Sequence, residues 1–299
     1  MNVQRLLDVL SIFMPIQHLL WTTQKVETNP MIPIRCIDSD SRIDWAHWLK
    51  QFDCIEIDNK EISFCRSYFL DEDIPLTYGT FTTRFRFEQS LDLHNIYGLS
   101  SSKENLSDFT SLYEMAESTC QGLLEKDIDT LLQWRELSLE PGGHRNSVSV
   151  FGWDTRKFLM NSGGSHHFAA AVYRSLVDND NRQLELPLVV TMLNHRNIKK
   201  LLDDVALFHS PDHNYSANIR DALTLAGITF TTCSSPYARV MGDYRGSTFV
   251  VSKRNWHHKY VVYQLNKVLE NIGTQLISLL DIQDRNLSSG EFPSKLLYT

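Results

Sequence analysis

Hydrophobic positions along the chain change period several times, and each change predicts an element. In Asp44 to Phe52 (DWAHWLKQF), Trp45 and Trp48 fall three apart, the spacing of one helical face. Cys54 to Ile57 and Ile62 to Phe64 alternate around Asp58-Asn59-Lys60, which predicts a hairpin. Thr77 to Phe87 (TYGTFTTRFRF) is β-branched and aromatic with period two, the pattern of a strand. Ser101 to Ser107 is polar and reads as a loop, and Asp108 to Leu139 as predominantly helical with a break near Gly122. The apolar run Leu6 to Trp21 is interrupted by Asp8, Pro15, Gln17 and His18. It is too short and too polar to span a bilayer, no small-residue cleavage site follows, and it predicts an amphipathic helix kinked or ended near Pro15.

Beyond Pro141-Gly142-Gly143 the pattern becomes strand, strand, helix, strand, helix, and this tripeptide is the best domain boundary. Strands are expected at Ser147–Trp153 and Lys157–Asn161, a helix at Phe168–Leu176, and a turn at Asp178–Asn181. A buried strand at Leu186–Leu193 precedes an amphipathic helix at Asn197–Phe208. A helix at Asn218–Ala226 ends at Gly227, followed by strands at Ile228–Cys233 and Thr248–Ser252 and a long closing helix at His258–Leu280. The expected class is α+β, in three parts: a mixed region 1–140, a domain 141–260, and a helix with a polar tail 261–299. No internal repeat and no low-complexity segment is visible.

At 299 residues, 42% hydrophobic and 11% aromatic, the chain is long and apolar enough for a globular core. Five scattered cysteines without a C-x-x-C argue against a disulfide framework and a cysteine-rich zinc module and favour a reduced, intracellular protein; with the interrupted Leu6–Trp21 run, this predicts a cytoplasmic protein without a membrane partner. Charge is uneven. Residues 1–140 hold 12 Lys/Arg against 23 Asp/Glu, whereas residues 141–260 hold 14 against 9 together with eight of the eleven histidines. Anion chemistry is therefore expected in the second part, and an acidic surface that engages a basic protein partner in the first. The same imbalance is also what two halves neutralising each other would show.

The stretch Asn161-Ser162-Gly163-Gly164-Ser165-His166-His167-Phe168-Ala169-Ala170-Ala171 concentrates the chemistry. Two glycines permit positive φ and close backbone approach, and three alanines open a helix at once. Such a turn aims free N–H groups and the positive end of a helix dipole at its occupant, most naturally a phosphate. A plain left-handed turn before a buried helix has the same spacing.

Gly163 to Ala170 resembles the Gly-Gly-Cys-His-Arg-Tyr-Ala-Ala signature of the ParB/sulfiredoxin superfamily, with similar flanking elements over about residues 145–210. The resemblance implies that Gly163, Gly164, Ser165 and His166 line nucleotide phosphates. Ser165 replaces the cysteine, which excludes the thiol chemistry of sulfiredoxins. His167 replaces the arginine and is a weaker, pH-dependent phosphate partner. His144 and Arg145, or Arg156 in Asp154-Thr155-Arg156-Lys157, are the candidate replacement cations, against the plainer reading of each as surface loop or solvated turn.

If the protein is an enzyme, phosphoryl transfer or nucleotide or phosphodiester hydrolysis is expected, with Mg2+ and a nucleotide as cofactors. His166 would contact phosphate, Asp154 or Asp203 would hold the metal or act as base, and Arg145 or Arg156 would stabilise developing charge. Asp203 with Asp204 also reads as the solvated face of a helix. The alternatives are a non-catalytic interaction protein reusing the fold, or a toxin or defence effector acting on nucleic acid or nucleotides. Nucleic-acid binding through Arg196, Lys199, Lys200, Lys253 and Arg254 is less favoured, because the whole chain is acidic and lacks a helix-turn-helix or finger pattern. His209-Ser210-Pro211-Asp212-His213 matches no zinc spacing and reads as a polar loop, Asp38, Asp40 and Asp44 as the approach to a helix, and His257-His258 as the opening of one.

Overall fold

The computed structural model describes residues 14, 36, 38–57, 61–64, 78–137, 139, 146–210, 213–236, 246–290 and 292. Apart from Met14, the expected N-terminal helix lies outside these residues, as do Asp58–Lys60 and the whole of 141–145. The elements in order are α1 (Asp40–Lys50), β1 (Ile55–Ile57), β2 (Ile62–Phe64), β3 (Thr82–Asp92) and β4 (Ile96–Leu99). Then come α2 (Leu112–Thr119), α3 (Ile128–Leu132), β5 (Ser147–Phe151), β6 (Asp154–Met160), α4 (Ser165–Val177) and β7 (Gln183–Leu193). The remainder is α5 (His195–Asp204), β8 (Val205–Ser210), α6 (His213–Leu225), β9 (Phe230–Ser234), β10 (Ser247–Ser252), α7 (Trp256–Leu265), β11 (Glu270–Asn271) and α8 (Ile272–Ser288). The class is α+β. Among the described residues no helix is long and apolar enough to cross a membrane.

Contacts divide the chain into two units, one of residues 1–31, 44–82 and 193–281 and the other of 32–43, 83–192 and 282–299. The second holds a five-stranded sheet in the order β3-β7-β5-β6-β4. Within it β5 and β6 form an antiparallel hairpin, while β5–β7 and β4–β6 are parallel. Val148, Val150, Leu159, Leu186, Leu188 and Val190 meet Phe168, Ala169, Ala170, Ala171 and Val172 of α4 in one core. The three alanines in the middle of this face let the helix lie close to the sheet. On the same core pack Met115 and Ala116 of α2 and Leu131 of α3, with Phe292 from the distal end of the chain. Ser111 caps α2 through the Glu114 N–H, and Asp127 caps α3 through the Thr130 N–H.

These contacts explain why Pro141–Gly143 does not separate the units. Residues 83–192 belong to one of them, because β4 pairs with β6 and α2 packs on α4 across that tripeptide. The strand expected at Thr77–Phe87 runs instead over Thr82–Asp92. As an edge strand it tolerates the polar residues Glu88 to Ser90 in exposed positions.

The other unit holds an antiparallel sheet in the order β11-β8-β10-β9. Ala206, Phe208, Phe249 and Val251 pack with Ile219 and Leu223 of α6 and with Val261 and Leu265 of α7. The hairpin of β1 and β2 belongs to this unit, as do Trp48 and Phe52, whose rings meet edge to face at 4.7 Å. Here the helix expected at Asn197–Phe208 divides into α5 and, immediately after it, β8. All six residues of β8 are buried, with a strand on either side, so its backbone is satisfied only by extended pairing. The closing helix likewise divides into α7 and α8, because Glu270-Asn271 pairs with His209-Phe208 of β8.

Candidate functional site

Strand β6 ends at Met160, and Asn161 organises the turn that follows. Its Nδ2 donates to the carbonyls of Ser101 (2.8 Å) and Gly163 (3.1 Å), and its Oδ1 accepts from the backbone N–H groups of Ser100 (3.2 Å) and Ser101 (3.3 Å). Gly164, at φ +71°, then hands the chain into α4. This is the left-handed region that glycine enters without penalty. Unlike Ser111, Asp127 and Asn194 at the starts of α2, α3 and α5, Gly164 supplies no side-chain cap to the first N–H groups of α4.

The chain's own residues surround the turn. A Cβ on Gly164 would lie 2.7 Å from Leu137 Cγ, and one on Gly163 would lie 3.2 Å from Glu136 Cβ and Oε2. Both glycines thus admit the short helical turn Arg135–Leu137. Ser165 is buried with its Oγ 3.1 Å from Ser102 Oγ. His166 Nε2 is 3.5 Å from Glu104 Oε1. The His167 ring lies flat on Trp134, centroids 4.1 Å apart and planes 6° apart, and the indole Nε1 donates to Glu136 Oε2 at 3.4 Å. Burial lowers the pKa of His167, with Lys126 and His166 acting in the same direction and Glu136 opposing them.

The structure therefore brings Gly163, Gly164, Ser165, His166 and His167 together, and adds Ser102, Glu104, Trp134, Glu136 and Leu137. Sequence reading missed these five, which fall in the polar Ser101–Ser107 loop and in the helical region before the turn. A tryptophan amid the polar residues Gln133, Arg135 and Glu136 was the one available signal. Two carboxylates beside a helix N-terminus are electrostatically favourable. An anion entering the turn would meet both carboxylates, whereas a divalent cation such as Mg2+, which takes one or two protein carboxylates, would draw on them.

The remaining candidates lie elsewhere. Asp154 and Arg156 are on β6 itself rather than in a turn, and they pair with each other: Nε to Oδ1 at 2.8 Å and Nη2 to Oδ2 at 2.7 Å. The guanidinium also sits 4.7 Å over the Tyr97 ring. Arg156 precedes Asn161 by five residues of strand, about 16 Å of backbone at roughly 3.3 Å per residue. Asp203 is exposed on α5, in the other unit. His144 and Arg145 lie outside the described residues.

His209 proves to be part of β8, buried, with Nδ1 3.0 Å from Ser235 Oγ, and burial pushes its pKa down to about 4. His213 starts α6, so only Pro211 and Asp212, outside the described residues, remain of the expected loop. Asp38 bridges to Leu99, α1 begins at Asp40, and His257 and His258 lie in the first turn of α7. Among the described residues no three His, Cys, Asp or Glu form a metal-binding group. A model of a family of unknown function (DUF6685) matches residues 86–289, which include the whole of this turn and its neighbours. No curated protein and no solved structure matches the chain.

Proposed function

We propose, for a chain that belongs to the family of unknown function DUF6685, that the turn before α4 binds a phosphorylated ligand, foremost a nucleotide. The observation that carries this reading is the start of α4 at a left-handed glycine without a side-chain cap, with His166 and His167 in its first turn. The order β5, β6, glycine turn, α4, β7, α5 also supports a ParB/sulfiredoxin-like reading of residues 145–210. In this proposal the phosphate accepts from the first-turn N–H groups of α4. Glu104 and Glu136 take over the magnesium role expected of Asp154, whose carboxylate neutralises Arg156.

Calorimetry with ATP, ADP, CTP and GTP, with and without Mg2+, tests the reading. Heat is expected for at least one nucleotide. Without Mg2+, binding should tighten as pH falls below the usual histidine range, because burial lowers the pKa of His167 and delays its charging. Glu136→Gln should strengthen metal-free binding, because a competing anion is gone, and weaken the Mg2+-dependent part. No heat from any of the four would overturn the proposal.

A second reading, a non-catalytic interaction protein, has its own supporting observation. Leu137 and Glu136 pack so closely on Gly164 and Gly163 that internal packing alone accounts for both glycines. This reading expects silence from all four nucleotides and from pyrophosphate.

A further inference from the structure

The outer face of α7 alternates aromatic and cationic side chains, and we propose that it is a docking surface for single-stranded nucleic acid. On its inner side the helix sends Val261, Val262 and Leu265 into the core of the four-stranded unit. On its outer side Trp256, Lys259 and Tyr263 are exposed at positions i, i+3 and i+7, one continuous stripe. Lys267 extends it by one more step just past the helix end, its Nζ 4.5 Å from the Tyr263 ring centre. Trp256 is 67% and Tyr263 61% exposed, high values for residues that are usually well buried.

Charge points to the same class of partner. From Ser247 to Leu269 the sequence carries Lys253, Arg254, Lys259 and Lys267 and no Asp or Glu. Lys253 Nζ donates to the Leu202 carbonyl and Arg254 Nη1 to the Ile57 carbonyl, so both serve the fold. Lys259 and Lys267 are left to meet phosphate, although Lys267 also donates to Gln264 Oε1 at 2.9 Å. A single strand offers a π-face and a negative charge at every step, which matches aromatic, cation, aromatic, cation along a helix. Trp256 and Tyr263 are seven residues apart, about 10 Å along the axis, room for roughly three nucleotides at ~3.4 Å each. An acidic peptide would satisfy the lysines and leave both rings without a stacking partner.

The test is fluorescence anisotropy of a short labelled oligothymidylate titrated with the full chain between about 50 and 200 mM salt. Trp256→Ala and Tyr263→Ala should each weaken binding roughly ten-fold or more. The double variant Lys259→Gln with Lys267→Gln should flatten the dependence of log affinity on log salt by about 1.4, or ~0.7 per lost phosphate contact. All four positions are exposed, so melting temperatures should stay at the parent value. Absence of binding at the lowest salt would overturn the proposal, and so would binding indifferent to both aromatic variants. Preferential binding of poly-glutamate would also overturn it and assign the face to an acidic protein.

Discussion

Replacing Gly164 by alanine isolates two costs that the turn imposes on any side chain. The first is backbone conformation: φ of +71° costs an L-residue about 1–2 kcal/mol. The second is steric, since the new Cβ would lie 2.7 Å from Cγ and 2.9 Å from Cδ2 of Leu137, which is fully buried. Forcing a methyl into a packed site typically costs about 1–3 kcal/mol. Gly164→Ala should therefore destabilise the five-stranded unit by roughly 2–5 kcal/mol. Leu137→Ala alone should cost about 2–5 kcal/mol through the cavity it leaves. In the double variant both close side-chain atoms are gone and only the Leu137 backbone N, 3.3 Å away, still crowds the new Cβ, so most of the steric part is lost and the two effects fall short of additivity by about 1–3 kcal/mol. Urea denaturation followed by circular dichroism measures all three variants, with the transition of each unit fitted separately because a chain of two units need not unfold in one step. Strict additivity would refute the steric argument, and a loss below about 0.5 kcal/mol for Gly164→Ala would refute both parts.

Other expectations follow from the same geometry. Asp154→Asn removes the bidentate partner of Arg156, whose side chain is 22% exposed, and should cost about 1–3 kcal/mol in denaturation experiments. The same variant should leave nucleotide heats at the α4 turn unchanged, since it acts at the other end of β6. His209 is held neutral in the fold with a pKa of about 4, whereas the unfolded chain takes up its proton near pH 6.5. Its contribution is whole above about pH 6.5 and is lost as pH falls toward 4, by up to about 3 kcal/mol. His209→Gln should flatten that part of the stability profile. Removing the indole in Trp134→Ala uncovers the His167 ring, which should relieve its desolvation and raise its pKa toward 6.5, as an NMR titration would record.

The local record of the sequence was good wherever one segment decides its own fate. Trp45 and Trp48 do lie on a helix, Ile55–Ile57 and Ile62–Phe64 do pair, and the glycine turn does lead from β6 into α4. Legibility failed where a distant strand decides. Val205–Phe208 has enough apolar residues to continue α5, yet β10 and β11 hold it extended. Glu270-Asn271 interrupts a helix-forming stretch for the same reason. The site was legible only in its contiguous part. Glu104 and Trp134 reach the turn through the parallel pairing of β4 with β6 and the packing of α2 and α3 on α4, and no spacing rule in one sequence encodes either.

Phe292 and Leu287 join a core otherwise built from residues 85–192. A ribosome releases the chain in the opposite order to that need: the sheet and its helices emerge long before the residues that complete their packing. Until residue 292 is free of the exit tunnel, the apolar positions Phe292 covers stay open to chaperones and to neighbouring chains.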